Sequence, residues 1–439
     1  MNDRQRCVFL LISAVLAGVL CLSSVCSQLT NNVIISNTGQ ITAYVTAKSG
    51  SARDIQAAVD IIVATLREGN VYIPSGIFNF VDVGESWVTV DIPAGVNIMA
   101  QTPPDMDPAW NNRFPLTCHT VLMLPYDVQS GPVTVATKVW FTITGNGDPA
   151  RQSRFSGIEL QGYRSIQNNS VQILGAIAIT QVMDFRVDHC IFENTALGIS
   201  ADGGTTAKCR GVFDHNKFIN TVGYTDAGGY DLLTVGYGIQ PIMFNTEYWD
   251  SDITHILGKY LDYSIYMEDN YFSRWRHCIS AGSGVHAVFR YNVVENDYAD
   301  GSIDVHGQAL SYEGGRCLEV YHNTIINAVS DGAWDWNGVW HSDKGFPPTN
   351  NRAINFRGGG GVIFNNTVDS TYAVLSTLEN EQPGINGGIT HDLWIWSNYG
   401  TTSLAVSGPV QDVDYFLHAP TTFVYTPYPY PHPLVQNNP

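Results

Sequence analysis

Cations are scarce in this 439-residue chain: 22 lysines and arginines stand against 40 aspartates and glutamates, for a formal net charge of −18. A surface of that sign is repelled by nucleic acid and by anionic lipid, which argues against roles that depend on binding either. Only 14% of the residues are charged and 44% are hydrophobic, so the composition is that of a globular chain and not a disordered one. After the first 28 residues, no apolar run is long enough to span a bilayer. No nucleotide-binding glycine loop, zinc signature or serine-hydrolase elbow occurs in a fitting context. The glycine run at 358–361 opens a strand, not a helix, and reads as a turn. Cysteine is also sparse. Of eight, Cys7, Cys21 and Cys26 fall in the leading segment, while Cys118, Cys190, Cys209, Cys278 and Cys317 show no spacing that names a disulfide. Isolated buried thiols are the expectation for these five.

What is present begins with an export signal. In "MNDRQRCVFLLISAVLAGVLCLSSVCSQ", Arg4 and Arg6 precede an apolar run over 7–22, and small or polar residues follow. This layout predicts a secretory signal peptide over 1–27, with an uncleaved anchor as the alternative. The mature chain is then expected to be secreted or held at the cell surface, with no membrane contact beyond export. Residues 28–424 are expected to form the main domain, and 425–439, "YTPYPYPHPLVQNNP", a Tyr/Pro-rich tail.

One segment is convincingly helical. "SARDIQAAVDIIVATLREG" places Ile55, Val59, Ile62 and Leu66 on one face, with Ser51 as N-cap and Gly69 as the stop, giving a helix near 52–68. Short β-like runs then recur: "FRVDHCIF" (185–192), "GVFDHNKF" (211–218), "IYMEDNYF" (265–272), "AVFRYNVV" (287–294), "LEVYHNTI" (318–325) and "VIFNNTV" (362–368). Apolar residues alternate in each, and Asn216, Asn270, Asn292, Asn323 and Asn366 align, with Cys190 and Asn398 as outer members. Asn270 and Asn292 are 22 residues apart, one turn of a coil of three short strands. Repeats of this length indicate a parallel β-solenoid. Asparagine tolerates left-handed backbone at the bend and can hydrogen-bond along a ladder of its own kind. His189, His215 and His322, just before the bend, are expected to hydrogen-bond the turn.

Over roughly 41–399, the sequence resembles the right-handed parallel β-helix, or pectin-lyase-like, superfamily. The amphipathic helix followed by "NVYIPSGIF" is similar to its N-terminal cap and first rung, and the tail is similar to endings of exported β-helix proteins. The resemblance implies an all-β fold, a right-handed parallel β-helix with an N-terminal capping α-helix. It does not select an activity, since one fold hosts many. The NTD, DD and GHG motifs of polygalacturonase-type hydrolases are absent, "DVHG" being the nearest piece. The Arg-Pro-x-x-Arg pattern of extracellular pectate lyases is absent too.

Strand register locates a candidate face. Aligning "GISAD" (198–202), "CISAG" (278–282), "SIDVHG" (302–307) and "AINFRG" (353–358) turns Ile199, Ile279, Ile303 and Ile354 inward. Ser280, Asp304, His306, Asn355 and Arg357 then point outward on consecutive rungs. The reading assigns Asp304 and His306 as acid/base candidates and Arg357 as their electrostatic partner. Trp334, Trp336 and Trp340, with Asp335 and His341, lie in an insertion expected to overhang that face and stack on sugar rings, or else to cover an open side of the solenoid. Asp331 is a further acidic candidate there. Arg276 and His277 in "SRWRHCIS" add basic groups for an acidic sugar. A second outward column, Asp188, Asp214 and Glu268, invites Ca²⁺ unless Arg186 and Arg290 neutralise it, and an unrecognised rung is expected between Asp214 and Glu268. The expected partner is a polysaccharide, with an acidic one as an option, and the expected activity is cleavage by a lyase or a hydrolase, with lyase chemistry preferred. The alternative is a non-catalytic cell-surface or matrix β-helix.

Overall fold

The computed structural model describes residues 31–35, 41–82, 85–123, 139–162, 175–195, 197–206, 208–219, 237–243, 252–275, 277–295, 301–307, 313–326, 333–334, 340–341, 352–370 and 372–436. Three long sheets carry the architecture: a first of 13 strands, and a second and third of 10 each. The chain visits them in a fixed cycle. Tyr237–Ile242 lies in the third sheet, Ser264–Glu268 in the first, Tyr271–Ser273 in the second, and His277–Ala281 is back in the third. Each of these strands pairs in parallel with the strand one coil further on. The starting pair, Asn31–Ile35 with Ile41–Thr46, is antiparallel.

Alternation along the strands fills the coil. Phe192, Phe218 and Phe272 point inward from successive strands of the second sheet and stack with centroids 4.6 and 4.8 Å apart. The asparagine ladder runs as the repeats predict. The Cys190 N–H donates to Asn216 Oδ1 at 2.9 Å, Asn216 to Asn270, Asn270 to Asn292, Asn292 to Asn323, Asn323 to Asn366, and Asn366 to Asn398. Each bond is worth only about 1 kcal/mol net, but leaving its buried N–H without a partner costs more. One detail differs from expectation. The left-handed residue is the one before each ladder position, with φ between 51° and 58° at His189 before Cys190 and at His215, Asp269, Tyr291, His322, Asn365 and Ser397 before the asparagines. Asparagine is therefore required for its side-chain amide, while the bend itself is made one residue earlier.

The helix spans Ala52–Thr65, with the Ser51 side chain accepting from the Asp54 N–H. Its buried face of Ile55, Val59 and Ile62 packs against the first strands, keeping the apolar end of the solenoid from water. It ends before Gly69. Arg67 turns left-handed at φ 62°, and Gly69 opens the next strand at φ 152°, where a Cβ would meet the Ala43 carbonyl oxygen at 2.4 Å.

The outer face of the first sheet has a cover of its own. Residues 252–263 and the segment from Phe423 to Val435 build a second apolar cluster over Val212, Tyr266, Val288, Tyr321, Phe364 and Trp394. The tail therefore runs back along the stack: Phe423 packs on Trp394 near the last rungs, and His432 reaches Glu268. Among the described residues, no helix is long and apolar enough to cross a membrane. Residues 1–27 lie outside them.

Candidate functional site

The third sheet has the register read from the sequence. Ile279 pairs with Ile303 and Ile303 with Ile354, and all three are buried in the core, so Ser280, Asp304 and Asn355 form one outward column. His306 follows on the outside, and Arg357 occupies the matching place one rung on. The three proposed reactive groups do come together. The Asp304 carboxylate accepts from Arg357 Nη2 at 2.8 Å, from Arg357 Nε at 3.1 Å and from Asn355 Nδ2 at 2.8 Å. His306 Nε2 lies 2.6 Å from the same carboxylate, and the guanidinium rests against the imidazole, its Nη2 2.5 Å from Nδ1 and 3.0 Å from Nε2.

Outward does not mean exposed. Asp304 is 0% exposed, whereas the His306 and Arg357 side chains are 23% and 18% exposed. Burial alone would raise the Asp304 carboxyl. The charges of His306 and His277, the hydrogen bond to His306, and Arg357 override it and hold Asp304 well below the usual carboxylate range. A carboxylate held ionised and occupied by four donors has little capacity left to accept a proton, which weighs against the acid/base role first assigned to it. Its place in the cluster is to orient the imidazole and the guanidinium, as the buried carboxylate does in a Ser-His-Asp triad. Burial lowers the Arg357 pKa, but Asp304 and then Glu381 and Glu379 raise it overall, so the guanidinium stays charged.

Glu381 was missed in the sequence. It accepts from Arg357 Nη1 at 2.8 Å and from the Gly307 N–H at 2.8 Å, closing the partly open edge of the cluster. Register supplies only part of the signal: the strand Val374–Glu379 pairs with Arg352–Phe356, which puts Glu379 level with Arg357, while Glu381 lies two residues further on.

The remaining candidates scatter. Ser280 and Asn355 are buried in the outward column, and Asn355 Oδ1 accepts from Thr377 Oγ1 at 2.6 Å, so neither is open to a ligand. His277 is buried as well, its Nδ1 bonded to the Gly301 carbonyl, which removes it as a sugar contact. Arg276, Asp331, Asp335 and Trp336 lie outside the described residues. Ala333–Trp334 and Trp340–His341 form a short antiparallel pair, in which Trp334 pairs with Trp340 and Ala333 with His341.

The acidic column of the first sheet is not a cation cage. Asp214 and Glu268 pair directly, without a rung between them; the strand overlooked in the sequence, Tyr237–Ile242, belongs to the third sheet. Asp188 accepts from Arg154 Nε at 2.7 Å, Asp214 from Arg186 Nε at 2.9 Å, and Glu268 from Arg290 Nε at 2.7 Å. Guanidinium groups occupy the lone pairs that Ca²⁺ would need. On the second sheet, Glu159 is pushed up to about 7, by burial first and then by the charge and hydrogen bond of Glu193. Cys118, Cys190, Cys209, Cys278 and Cys317 are all buried, and among the described residues no disulfide joins them.

Three parallel sheets visited in rotation, an asparagine ladder at one corner and a helix over one end decide the architecture. It is the right-handed parallel β-helix, the pectin-lyase-like fold. No family model matches this β-helix, and no curated protein is significantly similar to it. Among solved structures, it is similar to the Streptococcus pneumoniae surface protein and adhesin PfbA, at 11% identity and TM-score 0.37, covering 84% of this chain and 94% of that one. It is also similar to alginate lyase from Paenibacillus sp. str. FPU-7, at 12% identity and TM-score 0.31, covering 84% and 97%. A third is a tailspike mutant of E. coli bacteriophage HK620 in complex with pentasaccharide, at 12% identity and TM-score 0.38, covering 83% and 61%. Likeness this distant carries no inference about the chemistry of this β-helix.

Proposed function

We propose that this is an exported polysaccharide-acting β-helix, and that its His306–Arg357–Glu381 edge receives an acidic polysaccharide and cleaves it by β-elimination. The observation that carries this reading is the buried, ionised Asp304 gripping an imidazole and a guanidinium side by side, both partly open to solvent. Histidine is the side-chain type that exchanges protons near neutral pH. In this reaction Arg357 turns from His306 Nδ1 to pair with the sugar carboxylate, and the neutral form of His306 takes the proton from the carbon beside that carboxylate at the Nδ1 so freed. The electron pair forms the new C=C bond, the glycosidic C–O bond breaks, and the departing oxygen takes a proton from solvent. Hydrolysis is the lesser reading, because it needs two suitably spaced carboxyl groups and Asp304 is fully occupied.

A second reading has its own support. Arg357 already shares its charge between Asp304 and Glu381, which suits a cell-surface protein that binds saccharide without turning it over. The two are separated by incubating the mature protein with acidic and neutral polysaccharides, with and without Ca²⁺, and following ultraviolet absorbance and reducing ends together. Absorbing unsaturated ends that fall about 10²- to 10⁴-fold in His306→Ala support the lyase. Reducing ends without absorbance indicate hydrolysis. Binding without products, weakened by Arg357→Ala, supports the surface protein.

A further inference from the structure

The strands Ser264–Glu268, His286–Arg290 and Cys317–Tyr321 are neighbours in the first sheet, with Ser264 beside His286 and His286 beside Cys317. The side chains of His286, Cys317 and Glu319 point away from the solenoid core and are completely buried beneath the covering chain. Their donor atoms, an imidazole nitrogen, a thiol sulfur and a carboxylate oxygen, all lie within 4.8 Å of one another. We propose that His286, Cys317 and Glu319 form a binding site for one transition-metal ion, Zn²⁺ by the chemistry of its donors.

The donor set excludes the hard cations. Ca²⁺ and Mg²⁺ take oxygen ligands, whereas one sulfur, one nitrogen and one carboxylate oxygen suit a borderline ion. Zinc bonds of about 2.0–2.3 Å put tetrahedral donors about 3–4 Å apart. His286 Nε2 and Glu319 Oε1 stand 2.9 Å apart, so small side-chain rotations complete the site. The outer partners a metal site requires are in place. His286 Nδ1 lies 2.8 Å from Ser264 Oγ, which also accepts the Leu261 N–H and can accept an imidazole N–H as well. That bond leaves the proton on Nδ1 and the Nε2 lone pair for the ion. The other oxygen of Glu319 accepts from the Tyr425 hydroxyl at 2.6 Å. Such partners fix the tautomer and orientation of metal-bound histidine and carboxylate.

Cys317 gives the reason to look for an ion. Without metal, Ser264, His286 and Glu319 form a satisfied hydrogen-bonded string, while among the described residues the Cys317 thiol makes no hydrogen bond and no disulfide. Metal binding gives it a role, with its proton released to solvent. The bound ion joins two rungs and, through Tyr425 and the Gly258 N–H on Glu319, ties down both segments that cover the first sheet. Three protein donors leave a fourth position for water.

The test is made on the full mature chain. Protein dialysed against Zn²⁺ and then against metal-free buffer is expected to retain about one Zn²⁺ per chain by elemental analysis. Metal-stripped protein titrated with Co²⁺ is expected to show a thiolate-to-cobalt charge-transfer band and the visible bands of tetrahedral cobalt. Cys317→Ser, with its fold checked by circular dichroism, should lose the charge-transfer band and bind at least about tenfold more weakly. Tyr425→Phe should keep the band and weaken binding about 10- to 100-fold. Wild-type protein that holds no Zn²⁺ and gives no thiolate–cobalt band overturns the proposal even if Cys317→Ser fails to fold. So does Cys317→Ser binding Zn²⁺ as tightly as wild type.

Discussion

Two outer faces of the same solenoid carry charged columns, and they differ in what lies over them. On the first sheet, Glu268 and Arg290 are sealed under aromatic side chains, with Arg290 donating onward to the Tyr428 and Pro429 carbonyls of the tail at 2.6 and 2.8 Å. On the third sheet, Asp304 is just as buried, but its partners His306 and Arg357, and Glu381 beyond Arg357, keep 18–25% of their side chains in solvent. One face has spent its hydrogen-bonding capacity holding the tail, and the other retains groups that a ligand can reach. The alternation of a strand sets the direction of a side chain; exposure is set by which distant segment returns to cover it.

Matched substitutions break or confirm that contrast. Arg290→Met leaves Glu268 buried without its counter-charge and severs the two bonds to the tail. A loss of about 3–5 kcal/mol is expected, measured by urea unfolding. Arg357→Met should cost about 1–2 kcal/mol, because solvent reaches the gap and Asn355 and His306 still hold Asp304. Equal costs at the two sites would remove the distinction between a covered face and an open one.

How far the sequence could be read follows from the range of each signal. The asparagine positions and the inward isoleucines repeat with the coil, so both the ladder and the register across Ser280, Asp304 and Asn355 were legible. The strand Tyr237–Ile242 was not, because it carries Pro241, which argues against a mid-sheet strand, and its neighbouring coil has a long insertion before Ser264. The burial of Asp304 and the ion pairs that occupy Asp188, Asp214 and Glu268 depend on contacts between rungs, which alternation within a strand does not encode. The tail was visible only as composition. Its docking is specified by single long-range partners, such as Tyr425 with Glu319 and the His432 N–H with Glu268.

Acid should loosen the covered face before the open one. His432 is buried among Tyr260, Tyr266 and Tyr428, with ring centroids 4.5, 4.9 and 5.2 Å away. Burial first, then the charges of Arg290 and Arg210, lower its pKa to about 3. The folded state holds this ring neutral, whereas in the detached tail it protonates near its ordinary value of about 6.5. Its contribution is therefore complete above about pH 6.5 and is lost as pH falls toward about 3, reaching about 2 kcal/mol at pH 5. Protection factors over 423–436, which correct for the intrinsic slowing of exchange in acid, should fall about 30-fold between pH 7 and pH 5, and His432→Phe should flatten that dependence. Protection that ignores pH would mean that His432 does not hold the tail.

The smallest effect is expected at Tyr430, and it separates two kinds of contact on the covered face. Its ring stacks on Tyr291 with centroids 3.7 Å apart, while its hydroxyl donates to Asp269 at 2.8 Å. Tyr430→Phe keeps the stack and removes the donor, and Asp269 retains Arg113 Nη2 at 2.8 Å. A loss of about 1 kcal/mol is expected, seen as faster exchange or proteolysis of the tail with little change in the global transition. If the tail instead frees itself completely, the hydroxyl is its anchor and the aromatic cover is packing that follows. If nothing changes, the stack and the Arg290 bonds suffice, and the covered face depends on the same guanidinium that neutralises Glu268.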